Sequence, residues 1–270
     1  MTTPGWRQTT ITFADPDTAE QTAVDHLAPI LADAEARSLI TAWFYVRKGE
    51  WRLRYLPSTS NGPAEDHVSS ELQRLIRLGI VLGAVAGIYE PEVYAFGGPD
   101  AMDIAHQLWH HDSRHLLAGS MAHQREQSIM LVAAMMRAAG LDWYEQGDVW
   151  ARVAEHRDPP DPGHVASLQH ATQRLLTVDI VSLTVPGATM ATCSALVEAY
   201  IAAGDSLRRL NQAGRLQHRG LRDILTHHVI FAWNRRSIPG LHQAAIAAAA
   251  KILIFGPGPN VDPLTTGGEA

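Results

Sequence analysis

The 270-residue chain has a single cysteine, Cys193, so no internal disulfide can form and the fold must rest on packing. The alanine-, threonine- and serine-rich setting of Cys193 reads as a small packed helix position outside the chemistry. No run approaches the roughly 18 apolar residues of a membrane-spanning helix, and the opening Met-Thr-Thr-Pro-Gly-Trp lacks the basic-then-apolar order of a secretion signal. The expectation is a cytoplasmic protein with no membrane partner. Lysine is confined to Lys48 and Lys251, and the net charge is −6. That balance argues against a nucleic-acid partner, whereas the plentiful arginines suit local recognition of carboxylates and other anions. With 46% hydrophobic residues the chain can bury a substantial core, in one large domain or two closely packed ones.

Residues 89–113 organise the rest. An apolar extended run ends at Tyr89, Pro91 forbids a regular ladder, and Gly97-Gly98-Pro99 makes a turn suited to glycine. Asp100 stands where a helix N-cap belongs, and Met102, Ala105, Leu108 and Trp109 then recur at helical spacing. This strand-to-helix corner gathers Tyr89, Glu90, Glu92, Tyr94, His106, His110, His111 and the Asp112-Ser113 pair, an unusual mixture for a stretch that only packs.

Before the corner, Arg7 to Phe13 alternates as a strand, and an amphipathic helix follows to about Arg37. Thr41–Lys48 and Trp51–Leu56 flank Gly49-Glu50 as a hairpin, residues 66–78 are helical, and Val81–Tyr89 is a fourth strand. The order βαββαβ predicts an α+β protein with a ferredoxin-like antiparallel sheet, two helices on one face. Helices are expected over 101–119, 125–139, 142–156, 164–179, 191–212, 217–236 and 239–254, and they supply cover for the other face. The expected division is a sheet region 1–98, a helical region 99–255 packed on it as one unit, and a loose tail 256–270. Asp158 to Gly163 reads as an exposed, disordered linker.

Arg52 and Arg54 share a strand face and can fork onto a carboxylate or onto carbonyls. His106 with His110, and His111 with His115, are i, i+4 pairs, but they lie on different faces and lack the intervening glutamate of zinc proteases, so no metal is expected. His106 and His110 read as a polar groove wall, and Asp112-Ser113 as a helix-end cap or backbone binder. Asp142 to Trp150 looks rich enough for chemistry, yet Asp142 and Asp148 suit helix caps and the aromatics suit the core.

Four passages carry a family resemblance: Trp43-Phe44-Tyr45-Val46-Arg47-Lys48 with Trp51-Arg52-Leu53-Arg54, the corner 89–113, the run from Ala139 to Trp150, and His227-His228-Val229-Ile230-Phe231-Ala232-Trp233-Asn234-Arg235. Together they resemble the stand-alone thiopeptide-type bacteriocin biosynthesis proteins, relatives of the C-terminal elimination domain of class I lanthipeptide dehydratases, from Trp6 to about Leu253. The resemblance implies an enzyme without cofactor, monomeric or homodimeric, acting on a leader-bearing precursor peptide, with a partner dehydratase in some systems. Two reactions come with it. One eliminates glutamate from glutamylated serine or threonine; the other joins two dehydroalanines by a formal four-plus-two cyclisation and expels water and leader to form a pyridine. The dehydratase pattern has an arginine before the aromatic-Gly-Gly, where this chain has Ala95, and a histidine four residues before Asn-Arg, where this chain has Ile230. His228 lies six before Asn234, roughly 200° around the helix from that position. These departures favour cyclisation, with elimination as the second reading and a leader-binding scaffold, docking peptide by strand addition, as the third. On the cyclase reading Tyr89, Glu90, His228, Asn234 and Arg235 are the expected catalytic residues, and Arg52, Arg54, His106, His110, Ser113 and Trp233 the expected substrate-binding ones. Tyr89 and Glu90 would shuttle the proton that turns an amide into its iminol form, and Trp233 would stack on heterocycles.

Overall fold

The computed structural model describes residues 5–60, 62–119 and 123–256. Alternation builds β1 (Arg7–Phe13), which turns Ile11 and Phe13 into a core and Thr10 and Thr12 the other way. Asp15 then folds back on Asp17 and Thr18, and α1 (Ala19–Thr22), a π-turn at Ala23–Leu27 and α2 (Ala28–Ala36) follow without a break. The strands β2 (Ile40–Lys48) and β3 (Glu50–Pro57) pair as far as Lys48 and Glu50, so Gly49, at φ +82°, turns the chain alone. After α3 (Pro63–Arg77) comes β4 (Val81–Gly87), which stops short of Tyr89 because its partner β1 begins at Arg7. The strand order β2-β3-β1-β4, with every pair antiparallel, is the ferredoxin-like sheet that the element order predicts.

One face of the sheet, carrying Ile11, Trp43, Tyr45, Trp51, Leu53 and Tyr55, packs on Leu27, Leu31, Val68 and Leu72 of the two ferredoxin-type helical layers. On the opposite face Phe44 enters an aromatic cluster with Phe96 of the corner and with Trp109 and Phe231 of the helical half. That half comprises α4 (Pro99–Leu117), α5 (Gln124–Ala138), α6 (Trp143–Glu155), α7 (Pro162–Thr177), α8 (Ser194–Gln212), α9 (Leu221–Arg235) and α10 (Gly240–Phe255). Its core is built on Met135, Trp150, Tyr200 and Trp233. A Cβ on Gly204 would lie 2.3 Å from the Met135 carbonyl, so α8 meets α5 backbone to backbone at a point where only glycine fits.

Several boundaries differ from expectation for local reasons. Asp100 is not the N-cap of α4; Gly98 is, and Asp100 pairs with Arg215 at 2.5 Å from the first turn. Asp158 to Gly163 is not a disordered linker, because Asp161 accepts from His164 N at 2.7 Å and Pro162 begins α7. α9 starts at Leu221 because the loop before it is tied to the corner, Gln217 N donating to Gly97 O at 2.8 Å. Asp142 does form the expected cap, a reciprocal capping box with Glu145. Apart from Gly256, which closes α10, the expected tail lies outside the described residues.

α4 binds the two halves together. Tyr45 N on the outer edge of β2 donates to Ser113 Oγ at 3.3 Å, and His110 Nδ1 lies 3.1 Å from Trp43 N and 3.0 Å from Trp43 O. On the next side of the same helix, Asp112, with no exposed surface, accepts from Arg235 Nε at 2.7 Å, from both Arg236 Nη atoms at 2.9 and 2.5 Å, and from Tyr200 OH at 3.0 Å. Burial alone would raise the carboxyl; the Arg236 and Arg235 guanidinia outweigh it and hold Asp112 down to about 2. A folded-state value below the unfolded 3.8 means a stabilisation fully present above about pH 3.8 and lost as pH falls through about 2. Asp112→Asn, which strands two buried guanidinia, is expected to destabilise the fold by about 3–5 kcal/mol in urea unfolding. It is also expected to remove that acid-side component from the stability-against-pH curve; wild-type stability and slope in the variant would show the network to be inert.

Candidate active site

The corner after β4 is held by two close approaches. A Cβ on Gly97, at φ +84°, would lie 2.3 Å from Ile224 Cδ1, and one on Gly98, at φ +106°, within 3.1 Å of Gln217. This docking keeps Tyr89 and Glu92 over the open part of the sheet, next to Arg54. Register places Gln8 of β1 opposite Arg54 of β3, and Arg54 opposite Phe44 of β2, in one row across the sheet.

Around that row a polar cluster forms. Arg54, only 6% exposed, donates from Nε to Gln8 Oε1 at 2.9 Å, lies 4.0 Å above the Tyr89 ring centroid, and has Nη1 4.0 Å from Glu92 Oε1. Tyr89 OH is 2.9 Å from His106 Nε2 and donates to Glu92 Oε2 at 3.4 Å. Trp6 lies over His106, ring centroids 4.5 Å apart. Burial, reinforced by the nearby Arg54 charge, lowers the His106 imidazole to about 4. Burial and the Glu92 carboxylate raise the Tyr89 phenol, against the pull of Arg54. Burial also lowers the Arg54 guanidinium. At neutral pH the imidazole is therefore neutral and the phenol protonated. With the imidazole proton on Nε2, His106 donates to Tyr89 and Tyr89 to Glu92, a line of donors ending on a carboxylate whose side chain is 38% exposed.

The expected site residues therefore separate into groups. Arg54, Tyr89 and His106 converge, and Arg52, half exposed with Glu50 at 3.8 Å, shares their side of the sheet. Glu90 is exposed and bonds to no described residue; Glu92 reaches the phenol because the turn at Pro91 reverses the chain between them. His110 and Ser113 are spent on the edge of β2 rather than on a groove. Trp233 offers no stacking surface: it is wholly buried, its Nε1 donating to Ser128 Oγ at 3.0 Å, with Trp150 alongside. Arg235 is 1% exposed and neutralises Asp112, and Asn234 accepts from Gln243 Nε2 at 3.3 Å. His228 is 2% exposed, and neither ring nitrogen has a hydrogen-bond partner among the described residues. A relay of ring contacts separates it from the cluster, His106 to Trp109 at 5.8 Å, Trp109 to Phe96 at 4.9 Å and Phe96 to His228 at 5.1 Å. The stripe of α9 left partly accessible is instead His227, Ile230, Phe231 and Asn234, spaced i, i+3, i+4, i+7. Trp6 and Gln8 were not anticipated; β1 alternation puts Gln8 on the Arg54 face once the register is known.

Architecture and cluster together define a ferredoxin-like sheet fused to a helical lobe, with a proton-bearing polar site on the sheet's open face. Residues 6–253 match the family described as "Lantibiotic biosynthesis dehydratase C-term", and the chain belongs to that family. Among solved structures it is similar to the tRNA-dependent lantibiotic dehydratase MibB from Microbispora sp. 107891, at 16% identity and TM-score 0.66 over 94% of this chain. It is also similar to TsrL, at 13% identity and TM-score 0.59 over 94% of this chain. The chain spans 28% of the length of MibB and 99% of that of TsrL. No curated protein matches it. No described helix is long and apolar enough to cross a membrane.

Burial holds the His228 imidazole down at about 3, with Arg235 and His227 adding to the effect. Since that lies below the unfolded value of 6.5, protons bind the unfolded chain first, and stability falls as pH drops from about 6.5 through about 3. His228→Leu is expected to match or exceed wild-type stability at pH 7 and to flatten this decline, measured by thermal unfolding across pH. A large loss of stability at pH 7 would show that the imidazole has a bonding role.

Proposed function

We propose that the chain is a cyclase of peptide natural-product biosynthesis, joining two dehydroalanines of a leader-bearing precursor by formal four-plus-two cyclisation and releasing water and leader to leave a pyridine. The observation that carries this reading is the Arg54–Tyr89–Glu92–His106 cluster. It offers a partly exposed carboxylate backed by a protonated phenol and a neutral imidazole. In this scheme Glu92 takes the proton from a substrate amide nitrogen and returns it to the amide oxygen, giving the iminol that the azadiene partner requires. Tyr89 and His106 stabilise the negative carboxylate and keep its orientation, and Arg54 holds the oxygen that gains charge. Arg52 contributes a second guanidinium for peptide carbonyls. Loss of water and leader then completes the aromatic ring.

Glutamate elimination is the second reading, supported by the family and by the retained Arg52 and Arg54. Ala95, standing where the resemblance calls for an arginine to grip the departing glutamate, weighs against it. The reactions differ in product: a dehydrated, azole-bearing peptide is expected to release free leader, whereas a glutamylated peptide would lose one glutamate per new alkene, both read by mass spectrometry.

Tyr89→Phe and Glu92→Gln are each expected to lower leader release by about 10²–10⁴-fold, while Glu90→Gln stays close to wild type. Full turnover in both of the first two variants would remove the cluster from the chemistry; loss of glutamate without leader release would replace cyclisation by elimination.

A further inference from the structure

The two edges of the sheet are treated differently. On β2 the outer edge is covered at its centre by α4, with His110 Nδ1 against Trp43 and Ser113 Oγ accepting from Tyr45 N. On β4 no described residue pairs with the outer edge. Beyond the register irregularity near Val81 and Gly83, that edge carries neither charge nor proline to discourage pairing, and Leu82, Val85 and the following Ile88 are 65%, 68% and 87% exposed. Where this strand meets α3 there is a groove of about 370 Å³ that reaches from Ala84, Ala86 and Gly87 of β4 across to Tyr55 of β3 and the Arg7–Glu65 ion pair, with only small residues on the β4 side.

Resting on the cyclase reading, we infer that the β4 edge is the docking site for the leader segment of the substrate, which adds to the sheet as a fifth strand and feeds the core peptide to Glu92. Three observations select this occupant. β4 spans seven residues, far fewer than the roughly 20–30 residues a side of a stable interface between copies, but sufficient for a peptide held by main-chain hydrogen bonds. The C-terminal end of β4 runs straight into Tyr89 and Glu92, so a strand on this edge is continuous with the site. Finally, the leader has the more complete row of donors. Azoles in the core lack the amide N–H groups that a ladder consumes, whereas the unmodified leader keeps them. Because the leader precedes the core, its C-terminal end must lie at the Gly87 end, which makes the added strand parallel to β4.

The test uses the full chain and the substrate of the cyclisation assay, as three fluorescein-labelled probes: leader alone, leaderless core, and leader with alternate amides N-methylated. Leader alone is expected to bind by anisotropy and to slow hydrogen exchange of the Val81–Gly87 amides, and the N-methylated leader to do neither. The double variant Leu82→Lys, Val85→Lys, at two exposed positions, is expected to keep the wild-type melting profile and to weaken leader binding by about tenfold or more. Tyr89→Phe is expected to leave leader binding unchanged. Protection by leaderless core only, unchanged affinity in the double lysine variant, or a wild-type dimer that this variant dissolves would each overturn the assignment. Leader bound at β4 with no product from any peptide would keep the docking site and sink the cyclase reading instead.

Discussion

A carboxylate with no exposed surface dictates how this molecule is joined. Asp112 sits mid-helix in α4, and an anion there is tolerable only with full pairing, so Arg235 and Arg236 at the end of α9 and Tyr200 of α8 are drawn onto it. The neighbouring residue, Ser113, points the other way and completes the edge of β2. One helix turn thus fixes the lobe on one side and the sheet on the other. The Arg235 carbonyl strengthens the joint, accepting from Tyr45 OH at 3.4 Å and from Arg47 Nε at 3.3 Å. The candidate site inherits this rigidity, because His106 comes from α4 while Arg54 comes from the sheet, and their separation is set by how α4 lies on β2.

Much of the fold was legible because it is written in periodicity. The strands alternate, the helices repeat, and βαββαβ leaves few ways to order four antiparallel strands. Arg54 and His106 were legible for a related reason: each lies on an element whose facing follows from its period, whereas Tyr89 lies just past the end of β4. Glu90 and Glu92 were harder to separate, since Pro91 stands between them and a turn has no period to extrapolate. In α9 the difficulty was rotational. His227 and His228 differ by roughly 100° about the helix, enough to send one toward the surface stripe and the other into the core, and the uniformly apolar surroundings do not reveal which face is outward.

The polar residues of α4 and α9 teach a different point. His110, Ser113, Trp233 and Arg235 have the chemical character of site residues and are structural here, because a lobe docking on a sheet creates polar debts of its own: an edge strand with unpaired amides, an indole N–H and a buried anion. Those obligations exist only in three dimensions. No linear spacing distinguishes a serine that will meet a strand edge from one that will meet a substrate.

What distinguishes the remaining cluster is that its carboxylate, Glu92, is partly exposed and not saturated by its neighbours. Arg54 Nη1 is buried with no hydrogen-bond partner among the described residues, and Glu92 is 4.0 Å from it, beyond hydrogen-bond reach. The aromatic floor of Phe44, Tyr89 and Trp109 keeps water from one side and strengthens any charge interaction above it. In the Asp112 network, by contrast, the carboxylate is saturated by three partners and has no capacity left for a ligand. Buried guanidinium nitrogens without a partner among the described residues occur in both networks, Arg235 Nη1 and Arg236 Nε as well as Arg54 Nη1, so what separates the two is the exposure of the carboxylate. A buried donor beside a partly exposed carboxylate is equipped to receive a substrate oxygen, and on this chain that condition is met on the sheet face that carries Arg54.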